Sequence, residues 1–272
     1  MIDICTVVFD AEIPTLKLQA QSIARYCNTI GIQTIYIVIN SEALADRIDK
    51  SWWGVLAERV QLVPRNTFST NWVDNGWVSQ QVLKLLTASL SFNTWTMVLD
   101  AKTIFVRELT LTDLLDSQQR PRVGELEIYP VFDASRNIVN QLFDINLTKQ
   151  LGPGGVPFFV HNQTVRDMIN VIELGQRVDF PTWFQEQGML TEFILYSGYV
   201  ISQDGTFDQL YNTTENAIVP CNICHSEVAS FDRKFNEMSQ ALTVSIHREA
   251  WQQLTIEQQQ QYTDFLQSKG IQ

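Results

Sequence analysis

Trp95-Thr96-Met97-Val98-Leu99-Asp100-Ala101-Lys102-Thr103-Ile104-Phe105-Val106 is the stretch on which the reading of this chain turns. Met97, Val98 and Leu99 form an unbroken apolar run, the pattern of a strand buried on both faces of a parallel sheet. The run stops at Asp100. An ionised carboxylate is costly to bury unless something pairs with it. Asp100 is therefore expected at the carboxyl end of a central strand, where open α/β sheets bind ligands. Residues 104–106 then resume the apolar pattern. A carboxylate that merely caps a turn is the plainer reading of the same residues.

Upstream, residues 2–9 read as a buried strand ending at Asp10-Ala11-Glu12. Pro14 suits the first turn of a helix, and Leu16, Ala20, Ile23, Ala24 and Cys27 follow at helical spacing until Gly31. Residues 34–39 form a β-branched strand, Ser41 is placed to cap a helix over 43–48, and 60–63 form a third strand stopped by Pro64. This alternation implies right-handed parallel crossovers. Residues 65–76 read as a loop. Residues 77–92 read as a helix with Val78, Val82, Leu85, Leu86 and Leu90 toward the core, and it carries Gln80, Gln81 and Lys84.

Downstream the pattern is less regular. Strands are expected at 122–129, 158–160, 218–221 and 242–246, and helices at 136–149, 164–174 and 191–201, the last with Glu192 near its start. A glycine-rich turn covers 151–157. The final helix opens at Thr255, with Gln258 in capping-box register. No internal repeat or long linker interrupts the chain.

A chain of 272 residues with 45% hydrophobic and 18% charged content can bury a full core without staples. The net charge of −11 disfavours nucleic acid and anionic membranes as general partners, so an anionic ligand would need a local cluster of Lys or Arg. No apolar run approaches membrane-spanning length, and residues 1–5 enter a strand directly, so a cytoplasmic protein is expected. The Asn-x-Thr sequons at Asn146, Asn162 and Asn212 then carry no weight.

Lys84 lies sixteen positions before Asp100, and Lys102 two after it. Two lysines and one acid at one sheet edge point to a diphosphate, with or without a metal; a solvated Lys84 on a helix face is the alternative. Cys221-Asn222-Ile223-Cys224-His225 matches the c-type haem attachment spacing, but no partner ligands accompany it for haem or structural zinc, and neither is expected. His225 is the residue of interest there; His161 and His247 are each ambiguous. Most of the seven tryptophans should be core, with one or two free to stack on a sugar or base.

These residues carry a resemblance. Lys84-Leu85-Leu86 followed by Leu99-Asp100-Ala101-Lys102-Thr103 resembles the core segment of GT-A glycosyltransferases, especially the glycogenin-like enzymes of family eight. In those, a helix Lys precedes a strand ending Leu-Asp-Ala-Asp-Thr, whose Asp-x-Asp pair holds Mn²⁺ against the nucleotide diphosphate. Gly154-Gly155-Val156 is similar to the strand that lines the donor sugar, and Thr191-Glu192-Phe193 to the acidic helix start facing donor and acceptor. The whole chain looks close to a bacterial and phage branch of these transferases, sharing Gln80-Gln81-x-x-Lys84-Leu85, Leu99-Asp100-Ala101-Lys102, Thr191-Glu192-Phe193-x-Leu195-Tyr196 and His247-Arg248. The departure is Lys102, where the metal-binding family has its second Asp. Either Asp100 with His225 or another acid holds Mn²⁺ or Mg²⁺, or the lysines stand in for the metal.

The resemblance implies a GT-A-like α/β fold, a Rossmann-type parallel or mixed central sheet with helices on both faces. Residues 1–108 would bind the nucleotide-sugar, 109–250 would face the acceptor, and 251–272 would add a C-terminal helix, within one compact domain. The implied activity is glycosyl transfer from a nucleotide-sugar donor to an unknown glycan or small-molecule acceptor. Phe9, Asp10 and Glu12 would meet base and ribose, with Gln81, Gly154, Gly155 and His225 completing the binding set. Asp100 would orient ribose or metal, Lys84 and Lys102 would neutralise the leaving diphosphate, and Glu192 would act as base or charge stabiliser. A non-catalytic sugar- or nucleotide-binding protein and a nucleotidyltransferase-like enzyme are the rival readings.

Overall fold

The computed structural model describes residues 1–272. The chain opens with β1 (Ile2–Val8), every residue of which is buried. Helix α1 (Ile13–Tyr26), with Pro14 in its first turn, returns to β2 (Ile32–Ile39). Two 3-10 segments, Glu42–Arg47 and Lys50–Arg59, lead to β3 (Val60–Pro64). Ser41 precedes the first of them but makes no capping bond, and only a tight 3-10 turn forms where a helix was expected.

Helix α2 (Gly76–Leu90) starts one residue earlier than its pattern implied. The Asn75 side chain accepts from the amides of Trp77 and Val78 at 3.1 and 3.3 Å and fixes that start. Leu90 ends the helix and is 42% exposed, not core, while Phe92 beyond it is fully exposed. Then come β4 (Trp95–Asp100) and the short β5 (Ile104–Phe105).

The second half is built from α3 (Leu111–Leu114), β6 (Glu125–Glu127), α4 (Asp133–Phe143), β7 (Lys149–Leu151) and β8 (Phe158–His161). Helices α5 (Asn162–Gln176), α6 (Phe180–Glu186) and α7 (Glu192–Asp204) follow. The chain closes with β9 (Pro220–Ile223), α8 (Phe231–Met238), β10 (Thr243–Ile246), α9 (Arg248–Trp251) and α10 (Ile256–Ser268). The Thr255–Gln258 capping box at α10 forms as its spacing implies, with both reciprocal bonds made. The expected strand over 122–129 shrinks to β6, because only 125–127 find a ladder partner, in β7.

The main sheet runs β3-β2-β1-β4-β8, parallel except for β8, which pairs antiparallel with β4. A three-stranded sheet β5-β10-β9 stands beside it. The connection from β3 to β4 crosses to the far side of β1, so the winding reverses between β1 and β4. Open α/β sheets bind ligands outside the carboxyl ends of the strands at such a reversal. A large apolar core wraps the main sheet. A smaller one gathers Ile104, Val106, Ile223, Val244, Tyr262 and Leu266 beneath the three-stranded sheet.

Candidate functional site

Two strand ends meet at the winding reversal. Phe9 to Glu12 leave β1, and Asp100 to Lys102 leave β4, whose Asp100 pairs in register with Val7. The Thr103 amide donates to the Asp100 carbonyl at 2.8 Å and closes a turn. The Asp100 and Lys102 side chains meet there, Nζ to Oδ2 at 2.8 Å.

Asp100 is the hub of a charge network. Lys84 Nζ lies 2.8 Å from Oδ1, and the Gln80 amide donates to the same oxygen at 2.8 Å. Lys84 also reaches Glu192 Oε1 at 3.0 Å and lies over the Phe193 ring. Burial alone would push the Asp100 carboxyl up, but the Lys84 and Lys102 charges outweigh it and hold the group well below the usual carboxylate range. The same balance acts on Lys84: burial opposes its charge, while Asp100 and Glu192 together hold the ammonium well above its ordinary value.

Helix α2 presents Gln80, Gln81 and Lys84 inward because positions three and four apart share a helix face. Gln81 Oε1 accepts from the Glu192 amide at 3.1 Å, which docks the start of α7 onto α2. Glu192 thus sits in the first turn of α7, where the helix dipole favours a carboxylate.

A cavity of about 1010 Å³ opens in front of this network. Its walls come from the β1–α1 turn (Phe9, Glu12), the start of α2 (Gly76, Trp77, Gln80), Lys102 after β4, and His247, Arg248 and Trp251 after β10. Helix α10 and the residues after it, Tyr262 to Gln272, close the far side. Gly76 packs beside the Phe9 ring, where a Cβ would come 3.4 Å from Cε1. In a chain of net charge −11, the cavity wall carries two cations, Lys102 and Arg248, and the imidazole of His247 against one acid, Glu12. Burial raises the Glu12 carboxyl, against the Phe9 amide that donates to it at 3.0 Å and the nearby Lys102 charge. Burial first, and then the charge of Lys102, lowers His247 below the ordinary histidine range.

Of the residues expected to form the site, Phe9, Glu12 and Lys102 line the cavity. Asp100, Lys84, Gln81 and Glu192 stand behind the wall, joined to one another. Lys84 was expected to meet phosphate or solvent; instead it is 5% exposed and its charge is spent on two carboxylates. Glu192, expected near the sugar, is 4% exposed and bound to that ammonium. Asp10 points to the surface and pairs with Arg47. Gly154 and Gly155 lie in the turn between β7 and β8 and are not part of the cavity wall. His225 opens a 3-10 turn after β9, capped by Cys224 and Glu227.

The donor set does not suit a divalent cation. Hard cations take several oxygen ligands, whereas both Asp100 oxygens already accept from ammonium groups. No three His, Cys, Asp or Glu side chains group together to hold a metal, and His225, expected to join Asp100 as a ligand, lies in the 3-10 turn after β9 and is not part of the cavity wall. His161 is a helix cap, its Nδ1 2.8 Å from Thr164 Oγ1. His247, Arg248, Trp77 and Gln80 were missed as site residues. The signal for His247-Arg248 was the same as for Asp100: polar residues directly after an apolar strand.

Against solved structures, the chain is similar to the galactosyltransferase LgtC in complex with donor and acceptor sugar analogs, at 10% identity, with 98% of this chain and 95% of that one covered and a TM-score of 0.50. An active-site mutant of LgtC matches at 11% identity over the same shares, with a TM-score of 0.49. The first likeness establishes a GT-A-like fold, an α/β architecture with a mostly parallel central sheet flanked by helices. No curated protein matches the sequence. The model of a family described as "Family of unknown function (DUF6492)" matches residues 5–260.

Proposed function

From the premise that this chain belongs to the DUF6492 family of unknown function, we propose that it transfers a sugar from a nucleotide-sugar donor to a glycan or small-molecule acceptor. One observation carries the reading: a cavity at the β1/β4 winding reversal whose largely apolar wall places two cations, Lys102 and Arg248, in an otherwise acidic protein. The GT-A-like fold, shared with a galactosyltransferase structure that holds donor and acceptor sugar analogs, supports it.

In this reading the donor diphosphate lies against the Lys102 and Arg248 cations, with the His247 ring, neutral in the free protein, beside them. Departure of the nucleoside diphosphate leaves negative charge on its terminal phosphate. Fixed cations in a cavity partly closed to water stabilise that charge without reorganising. Phe9 and Glu12, at the end of β1, face the nucleoside. Trp77, 48% exposed at the cavity wall, offers a flat apolar face for a sugar ring. Asp100, Lys84, Gln81 and Glu192 act as positioning residues that hold the Lys102 side chain in place. A cytoplasmic setting goes with this reading; no helix is long and apolar enough to cross a membrane.

A non-catalytic nucleotide-sugar-binding protein is the second reading, favoured by the burial of Glu192 away from the cavity. A thermal-shift panel of nucleoside diphosphates and nucleotide-sugars tests the site. A ligand at ten times its dissociation constant should stabilise the fold by roughly 1.4 kcal/mol. Release of nucleoside diphosphate from a bound nucleotide-sugar supports the transferase. Binding without release, across a panel of acceptors, supports the binding protein, and no shift with any compound overturns both.

A further inference from the structure

Resting on the donor site just proposed, the geometry points to a diphosphate site that works without a divalent cation, the Lys102 ammonium taking the cation's place and Asp100 holding that ammonium. Three observations carry this. The first is occupancy: Asp100 Oδ1 accepts from Lys84 and Gln80, and Oδ2 from Lys102, each at 2.8 Å. A dication at this carboxylate would have to expel Lys102 and then sit beside the Lys84 ammonium, which burial prevents from moving away.

The second is charge. An ammonium in place of a carboxylate at position 102 changes the local charge by two units in the positive direction, the same amount that a divalent cation brings to an acid pair. The Asp100–Lys102 pair is therefore as neutral as a metal-loaded acid pair would be, with its positive end toward the cavity.

The third is spare donor capacity. An ammonium has three N–H donors. Lys84 spends its charge on Asp100 and Glu192 behind the cavity wall, whereas Lys102 bonds Asp100 alone, is 26% exposed at its side chain, and lines the cavity. Its remaining donors are available to non-bridging phosphate oxygens. This divides the work between the two lysines: Lys84 positions, and Lys102 binds.

Titration calorimetry with UDP, GDP, ADP, CDP and dTDP as probes tests the inference, each run once in EDTA and once in excess MnCl₂. At least one probe should bind in EDTA, and excess MnCl₂, which chelates the diphosphate, should not strengthen that binding. Lys102→Met, with its circular dichroism unchanged, should weaken that binding at least tenfold in EDTA. Lys102→Asp should lose binding in EDTA and regain it in MnCl₂. Wild-type binding that requires Mn²⁺ overturns the inference and leaves the donor site standing. Unchanged affinity in Lys102→Met overturns it as well. Absence of binding by every probe in both conditions overturns the donor-site reading itself.

Discussion

Lys84 and Asp100 form a buried ion pair at the carboxyl edge of the sheet, Nζ to Oδ1 at 2.8 Å, and Glu192 shares the same ammonium at 3.0 Å. The three side chains come from α2, β4 and α7, so the network ties the two halves of the chain together behind the cavity. Taking charges out of water is costly, and removing one member leaves the others buried and uncompensated.

Lys84→Met is therefore expected to destabilise the protein by about 3–5 kcal/mol, the range for breaking a buried pair. A solvent-facing lysine would change stability by no more than about 0.5 kcal/mol. Urea unfolding at pH 7 separates these outcomes. Adding Glu192→Gln to Lys84→Met removes one of the two stranded charges and should recover part of the loss; strict additivity of the two changes would disprove their coupling.

The acid limb of stability follows from Asp100. Its folded carboxyl is held low by Lys84 and Lys102 against the opposing effect of burial. A carboxyl depressed on folding contributes stability that is fully present above its unfolded value, about 3.9, and is lost as pH falls below that toward the folded value. Asp100→Asn should be less stable than wild type at pH 7, and the two should converge as pH falls from 4 toward 2. Melting temperatures that stay a constant interval apart over that range would show that Asp100 does not titrate in this way.

Gly198 in α7 lets α4 approach closely. A Cβ at this position would fall 2.0 Å from Val139 Cγ1 and 3.6 Å from Leu147 Cδ2. Replacing a helical glycine by alanine gains up to about 1 kcal/mol of helix propensity, whereas overpacking a core costs about 1–3 kcal/mol. Val139 is fully buried and has nowhere to go, so overpacking should win. Gly198→Ala is expected to lower stability by about 1–2 kcal/mol, with the loss reduced in a Val139→Ala background. A gain of stability in the single variant would show that the helices move apart at little cost.

The parallel sheet was legible because its strands are buried on both faces: 2–8, 35–39 and 95–99 are mostly apolar, centred on Ile, Val, Leu and Met with Asp3, Thr6 and Thr96 as the polar interruptions. Asp100 was legible for the same reason, as the first charge after such a run. The side of α2 on which Lys84 lies was not. Helical periodicity marks Val78, Val82 and Leu85 as inward, and Lys84 next to Leu85 joins that face only because two carboxylates from β4 and α7 wait there. Those acids lie 16 and 108 residues away, and no local pattern announces them. The same limit hid α6 and α8, short helices whose burial is decided by what α2, α5 and β9 bring to them. His247 had a local signal, a strand end, but the three-stranded sheet that carries it to the cavity is assembled from 104–105, 220–223 and 243–246.

His247 gives the proposed donor site its own pH dependence. The ring lines the cavity beside Lys102 and Arg248, and burial, then Lys102, and then Arg248 press it toward the neutral form, with Glu249 and Asp100 opposing. Its folded value lies below about 6.5, so in the free protein at pH 7 the ring is neutral. A bound diphosphate supplies the missing counter-charge and favours the protonated ring. Ligand affinity should therefore gain a contribution from His247 as pH falls through this range. A terminal phosphate loses part of its own charge near pH 6, which acts in the opposite direction, so the informative quantity is the ratio of wild-type to His247→Gln affinity for the same nucleoside diphosphate. That ratio should be near one at pH 8 and rise to about tenfold by pH 5.5, since a charge-assisted hydrogen bond is worth about 1.5–3 kcal/mol. Calorimetry at four pH values, in EDTA, supplies the measurement. A ratio that stays flat would show that His247 takes up no proton when the ligand binds, and would leave the diphosphate to Lys102 and Arg248 alone.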